Sequence, residues 1–264
     1  MIQLDNHRAT VGIQDGELIS YVVQGHEFIH QKGSPGWGSS DTEMFPVIGP
    51  LEGAGYRVMT PKGPAIEDQH GHLRQMPYTL EYQGETSARF IKRYTRGTRV
   101  ANAKYPGKSA EPYMDWPYSF EFEKSFALME DRLEIGFRVT GDQGMPFMLG
   151  YHPAFKLYGG APLVLAQGRK ITLEEVLAVG SRALQLADCT VLTLRDQQWE
   201  ITLETEGFGH FMCWTEVDNM VCLEPISFYP YAVEQGELHQ GFQFLDGESL
   251  CKVVLIPGGT AAAH

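Results

Sequence analysis

Long apolar runs are missing from this chain of 264 residues. No stretch approaches the roughly 20 consecutive apolar residues of a membrane-spanning helix, so a helical membrane protein is excluded as a class. Its opening segment, "MIQLDNHRATVGIQDG", is polar and lacks the apolar core of a secretory signal. A cytoplasmic location is therefore expected. Cysteine is scarce too. Cys189, Cys213, Cys222 and Cys251 stand singly in the last third. They form no CxxC pair and no metal framework, and read as small buried hydrophobes kept reduced. Cations are in deficit: Lys+Arg 21 against Asp+Glu 33 gives a formal net charge of −12. Such a surface repels nucleic acid and anionic membrane, so neither is expected as a partner. Neither GxGxxG nor a phosphate-binding loop occurs, and no βαβ rhythm supports a nucleotide-binding fold. There is no internal repeat.

What remains is dominated by strand signals. Tyr118, Phe120 and Phe122 alternate with Ser119, Glu121 and Glu123. Leu133, Ile135, Phe137 and Val139 face one way, and a period of two returns from Trp199 through Ile201 to Leu203. Alternation of this kind marks strands with one dry face and one wet face. Further strands are expected at 8–14, 17–23, 79–83, 87–94, 146–150, 190–194, 219–224 and 251–256. Helical turns are expected only at 172–178 and around 228–235. Residues 31–64 read as a loop-rich region ordered by the apolar segment "FPVIGP". At 43% hydrophobic the chain has material for a large core. The expectation is an all-β single domain over 1–257, built as two large packed antiparallel sheets, with 258–264 a tail outside it.

Three places set a polar group in an apolar or Pro/Gly frame: His70–Arg74 ("HGHLR"), His152 in "GYHPAF", and Glu224 closing Val221-Cys222-Leu223. Each alone is more often structural than functional. Together they suggest a couple, because a buried Glu demands a partner and a His and a Glu projecting from strand ends into one cleft make an acid–base pair. His70 and His72, two apart on a strand, would share a face as metal ligands do. No acidic third ligand follows, and Arg74 is unfavourable beside a cation, so no metal is expected.

These segments resemble, in order along nearly the whole chain, the aldose 1-epimerase (galactose mutarotase-like) superfamily, and most closely its LacX-like branch. "GELISYVVQGHEFIHQ" at 16–31 is similar to the family's opening. Gly36-Trp37 with "MFPVIGPL" at 44–51, "QHGHLRQMPY" at 69–78, "LGYHPAF" at 149–155 and "VCLEPIS" at 221–227 resemble four further motifs. The resemblance implies a β-supersandwich, no cofactor, and interconversion of α and β anomers of a hexose. It implies His152 as general acid and Glu224 as general base, with His70, Arg74 and His72 contacting the sugar. With ordinary pKa values, Glu224 is ionised and His152 protonated between about 4.3 and 6.5. The pair is expected on opposite sides of a space one pyranose wide. Three positions depart from the motifs: Pro50 stands in place of an Arg, His72 of an aromatic and Ile226 of a Trp. The family's substrate-positioning Asp has only Asp188 and Asp196 as candidates. Competing readings are a catalytically silent sugar-binding protein, a hexose-6-phosphate 1-epimerase and a two-carboxylate glycoside hydrolase. A sugar is the expected partner of a monomer or homodimer.

Overall fold

The computed structural model describes residues 1–259, and they form a β-supersandwich. A nine-stranded antiparallel sheet runs, in spatial order, through Arg169–Thr172, Leu163–Ala166, Val191–Asp196, Trp199–Glu206, Glu248–Gly259, Leu133–Gly141, Phe120–Leu128, Ser87–Tyr94 and Thr79–Gln83. A five-stranded sheet carries Leu184–Leu186, His210–Trp214, Met220–Ile226, Gly150–Lys156 and Asp41–Met44. Four short N-terminal strands between Ile2 and Glu27 make a third sheet. The alternation is the cause of this arrangement. Along Leu133–Gly141 and Phe120–Leu128 every second side chain is buried, and the two strands pair so that Phe122 meets Val139 and Phe126 meets Ile135. Tyr118 and Ile201 join that core, whereas Trp199 is half-buried and stacks on His26.

Departures from the expected elements are local. The strand expected at 146–150 is split into Pro146–Phe147 and a separate Gly150–Lys156. His152 therefore lies inside a strand, and so does Glu224, within Met220–Ile226. Asp41–Met44, inside the region read as loop, is a strand with three of its four residues buried. The last strand continues to Gly259, two residues past the expected domain end. The remainder of the expected tail, 260–264, lies outside the described residues. One helix, Leu173–Val179, starts on a capping box in which Thr172 and Glu175 satisfy each other's backbone N–H.

An ionic cluster joins the two large sheets. Lys124 occupies an inward position between Phe122 and Phe126 and is fully buried. Its Nζ lies 2.8 Å from Asp41 Oδ2 and 2.6 Å from Glu43 Oε1. The Tyr151 hydroxyl donates to the same Asp41 oxygen at 2.7 Å. Burial pushes Asp41 up to about 6 in spite of Lys124. Around Glu43, Lys124 and Lys92 outweigh burial and hold the carboxyl below its ordinary value. Two carboxylates at i and i+2 thus fix a polar strand in a dry interior. Lys124→Met would leave Asp41 without its cation and Glu43 with Lys92 alone, 4.0 Å away, at a cost of roughly 3–5 kcal/mol. A urea midpoint that does not fall in this variant would show that the cluster does not secure the edge strand.

Candidate active site

The register of the five-stranded sheet creates the site. Gly150 pairs with Ile226 and Ala154 with Cys222, so the register between them sets His152 opposite Glu224. Directly opposed residues of an antiparallel pair put their side chains on one face about 5 Å apart. Pro153 and Pro225 flank the couple. Lacking an N–H, they interrupt the hydrogen-bonded ladder at that point. His152 Nε2 lies 3.4 Å from Glu224 Oε1. The two groups are neighbours on one floor, not the opposite walls of a ring-wide gap.

Above them opens a cleft of about 430 Å³. Trp37 stacks on the His152 ring, with centroids 4.2 Å apart and planes 30° from parallel. Trp214, on the strand beyond Glu224, meets the same ring edge-on at 6.1 Å. His70, Arg74, Gln69 and Pro50 form one wall, and Arg182, Glu216 and Tyr231 another. Trp37 was visible in the sequence only as part of a motif. Trp214, Glu216, Arg182 and Tyr231 carried no signal, because they reach the cleft from a neighbouring strand and from turns whose path a linear pattern does not give. Pro50 lines the wall at the position where the family's motif has an Arg. Ile226 is fully buried, and the aromatic walls come from Trp37 and Trp214.

Of the residues expected to contact sugar, His70 and Arg74 line the cleft and His72 does not. The intervening Gly71 has φ +76, and a Cβ there would collide with the Phe45 carbonyl. That turn sends the two imidazoles in different directions, so the expected shared strand face is replaced by a bend and a short 3-10 helix, His72–Gln75. His72 is fully buried, packs on Tyr94 and Phe120, and pairs through Nδ1 with Glu67 Oε1 at 2.7 Å. The structure thus corrects the sugar-contact expectation for His72: it is a core histidine. Asp188 and Asp196 are also outside the cleft; Asp196 is buried and accepts the Tyr158 N–H.

Burial reverses the expected charges of the pair. It pushes Glu224 up to about 8, against the opposing pull of Arg74. It drives His152 down to about 3, and the Arg74 charge lowers it further. Burial and the same guanidinium keep His70 well below its ordinary value. At neutral pH the couple therefore carries one proton, on Glu224. Cys222 brings a third potential metal ligand, its sulfur within 4.8 Å of the ligand atoms of His152 and Glu224. Its thiol is pushed well above the ordinary range by burial and by Glu224, so the thiolate a soft metal needs is disfavoured.

The chain belongs to the aldose 1-epimerase family, whose model matches residues 58–225, a span that includes His70, Arg74, His152 and Glu224. Its fold is that of the galactose mutarotase-like proteins. A galactose mutarotase-like protein from Lactobacillus casei superposes with a TM-score of 0.79 at 19% identity, over 98% of this chain and 99% of the other. A galactose mutarotase related enzyme from Lactobacillus acidophilus gives 0.79 at 21%, over 99% and 98%. A galactose 1-epimerase from Lactobacillus acidophilus gives 0.68 at 10%, over 98% and 94%. Among curated proteins none matches.

Proposed function

We propose that the protein is an aldose 1-epimerase that interconverts the anomers of a hexose, with Glu224 and His152 as its acid–base couple. The observation that carries this reading is the 3.4 Å approach of His152 to Glu224 on the floor of a polar, aromatic-walled cleft. In the reactive form Glu224 is ionised and His152 protonated. One proton shift across that contact produces this form from the resting pair. Glu224 takes the proton from the anomeric O1–H while His152 gives one to the ring oxygen, and the C1–O5 bond breaks. The product is the open-chain aldehyde beside a neutral couple, the charge state that burial favours. Rotation about C1–C2 presents the other carbonyl face, and the reverse transfers close the ring to the other anomer. His70 and Arg74 hold sugar hydroxyls, and Trp37 keeps the imidazole in place.

A sugar phosphate is the second reading, and Arg74 and Arg182 favour it. Both line the cleft, and among the described residues neither guanidinium has a carboxylate partner within ion-pair distance. NMR exchange between α and β anomers, measured across free hexoses and hexose phosphates, tests both readings. Accelerated exchange of a free hexose supports the first, and acceleration confined to phosphates supports the second. Binding without acceleration of any sugar identifies a silent sugar-binding protein.

A further inference from the structure

His72 belongs to a buried pair that the acid–base chemistry does not use. The pair flanks a four-residue turn, Asp68 to Gly71, closed by the Gly71 N–H donating to the Asp68 carbonyl at 3.0 Å. That turn presents Gln69 and His70 to the cleft. Glu67 precedes it and His72 follows it, and the two side chains meet across its base, Oε1 to Nδ1 at 2.7 Å. Both are fully buried. A contact this short between a ring nitrogen and a carboxyl oxygen holds a proton whichever group owns it. Burial raises the Glu67 carboxyl above its ordinary value; His72 opposes this and Asp68 adds to it.

Packing alone does not call for an imidazole here. The His72 ring lies against Tyr94 and Phe120, with centroids 4.5 and 5.5 Å away, and a phenyl ring would fill that space as well. It would also strand the Glu67 carboxyl in the interior, a costly arrangement. What the imidazole adds is a tie between the two ends of the turn. Arg74 depends on that tie. It follows in the 3-10 helix His72–Gln75 and lines the cleft. Among the described residues its guanidinium has no ion pair to fix it. Its placement therefore comes from the helix. His72 anchors the start of that helix, together with the fully buried Leu73, whose carbonyl accepts from Lys92 at 2.8 Å. Asp68, inside the turn, also acts on the Arg74 charge, as does Glu224 in the cleft.

We propose that Glu67 and His72 form a clasp that positions His70 and Arg74 in the cleft. The proposal rests on the reading of those two as sugar-contacting groups of an epimerase. Both clasp members are then positioning residues that touch no substrate.

The titration midpoint of Glu224, read by NMR from its side-chain carboxyl carbon, tests the clasp on the protein alone. Arg74 lowers that carboxyl, so a change in the placement of Arg74 registers there. His72→Phe combined with Glu67→Met removes the tie and the stranded carboxyl together, while keeping ring and chain length. Its midpoint should move upward, in the direction of Arg74→Met. Its kcat/KM for galactose or glucose should fall by about tenfold or more, because small misplacements of substrate-positioning groups are that costly. Glu67→Gln still accepts from the imidazole N–H and should keep the wild-type midpoint. If the double variant does not fold, Glu67→Met against Glu67→Gln gives the same comparison. A Glu224 midpoint and an Arg74 Nε–H resonance that both stay in place once the tie is cut overturn the clasp. So does a Glu67→Gln variant that behaves like Glu67→Met. A wild-type protein that accelerates no anomer exchange would sink the epimerase reading, and the midpoint and the resonance would still decide the clasp.

Discussion

Glu224→Gln is expected to remove most of the catalysed anomer exchange while making the protein more stable. A positioned general acid or base contributes about 10²–10⁴-fold, and the amide can neither take the O1–H proton nor share one with His152. The stability gain follows from the charge state. Folding raises the Glu224 pKa from 4.5 to about 8, so the folded state disfavours the carboxylate that the unfolded chain carries freely. This penalty is small below pH 4.5, grows as pH rises and is complete above 8. At pH 7 it amounts to roughly 3 kcal/mol, at about 1.4 kcal/mol for each pH unit above 4.5. Gln has nearly the same shape and no charge to lose water from. Thermal unfolding at pH 5 and pH 8 should therefore show the variant's advantage widening with pH. A variant that keeps wild-type exchange rates ends the catalytic role of Glu224. One that melts below wild type at pH 8 ends the account of its burial. His152→Asn should lose exchange to a similar degree.

Much of the fold could be read from the sequence, because strand periodicity survives wherever a face is continuously dry. Phe120–Leu128 and Leu133–Gly141 show this, each alternating along its whole length. The pattern fails where charge is buried. Asp41–Met44 looks like loop because half its residues are acidic, and Lys124 and Lys92, both distant in sequence, make that strand tolerable in the core. Proline misleads in a second way. Pro153 and Pro225 suggest strand ends, yet both sit inside strands of the five-stranded sheet, where the interrupted ladder coincides with the contact between His152 and Glu224. At the site, the partnership of His152 and Glu224 was legible from motifs, while their spacing was not, since register is a property of two strands together. The "HGH" motif shows the limit of spacing arguments. Two histidines two apart share a face only if the backbone between them is extended, and Gly71 at φ +76 is not.

The alkaline limb of the pH profile should fall near 8, not near the 6.5 of an ordinary imidazole. On the proposed mechanism the couple works while it holds one proton in total, whichever member carries it. Above about 8 Glu224 gives up that proton and the couple has none to donate to the ring oxygen. Below about 3 His152 gains a second proton and the couple has no acceptor left. The acid side is the poorer reporter. A histidine held low by burial contributes stability that is present above 6.5 and is lost as pH falls toward 3, so unfolding would intrude there. Free-enzyme kcat/KM, corrected for the base-catalysed exchange that occurs without protein, should therefore stay level through neutrality and decline around pH 8. Arg74 supplies a signed control. Its positive charge lowers both members of the couple, so Arg74→Met should move the alkaline limb upward whatever it does to sugar affinity. A limb at 6.5 in the wild-type protein would mean that His152 titrates as if in water. A limb that stays in place in Arg74→Met would mean that this guanidinium does not act on the couple.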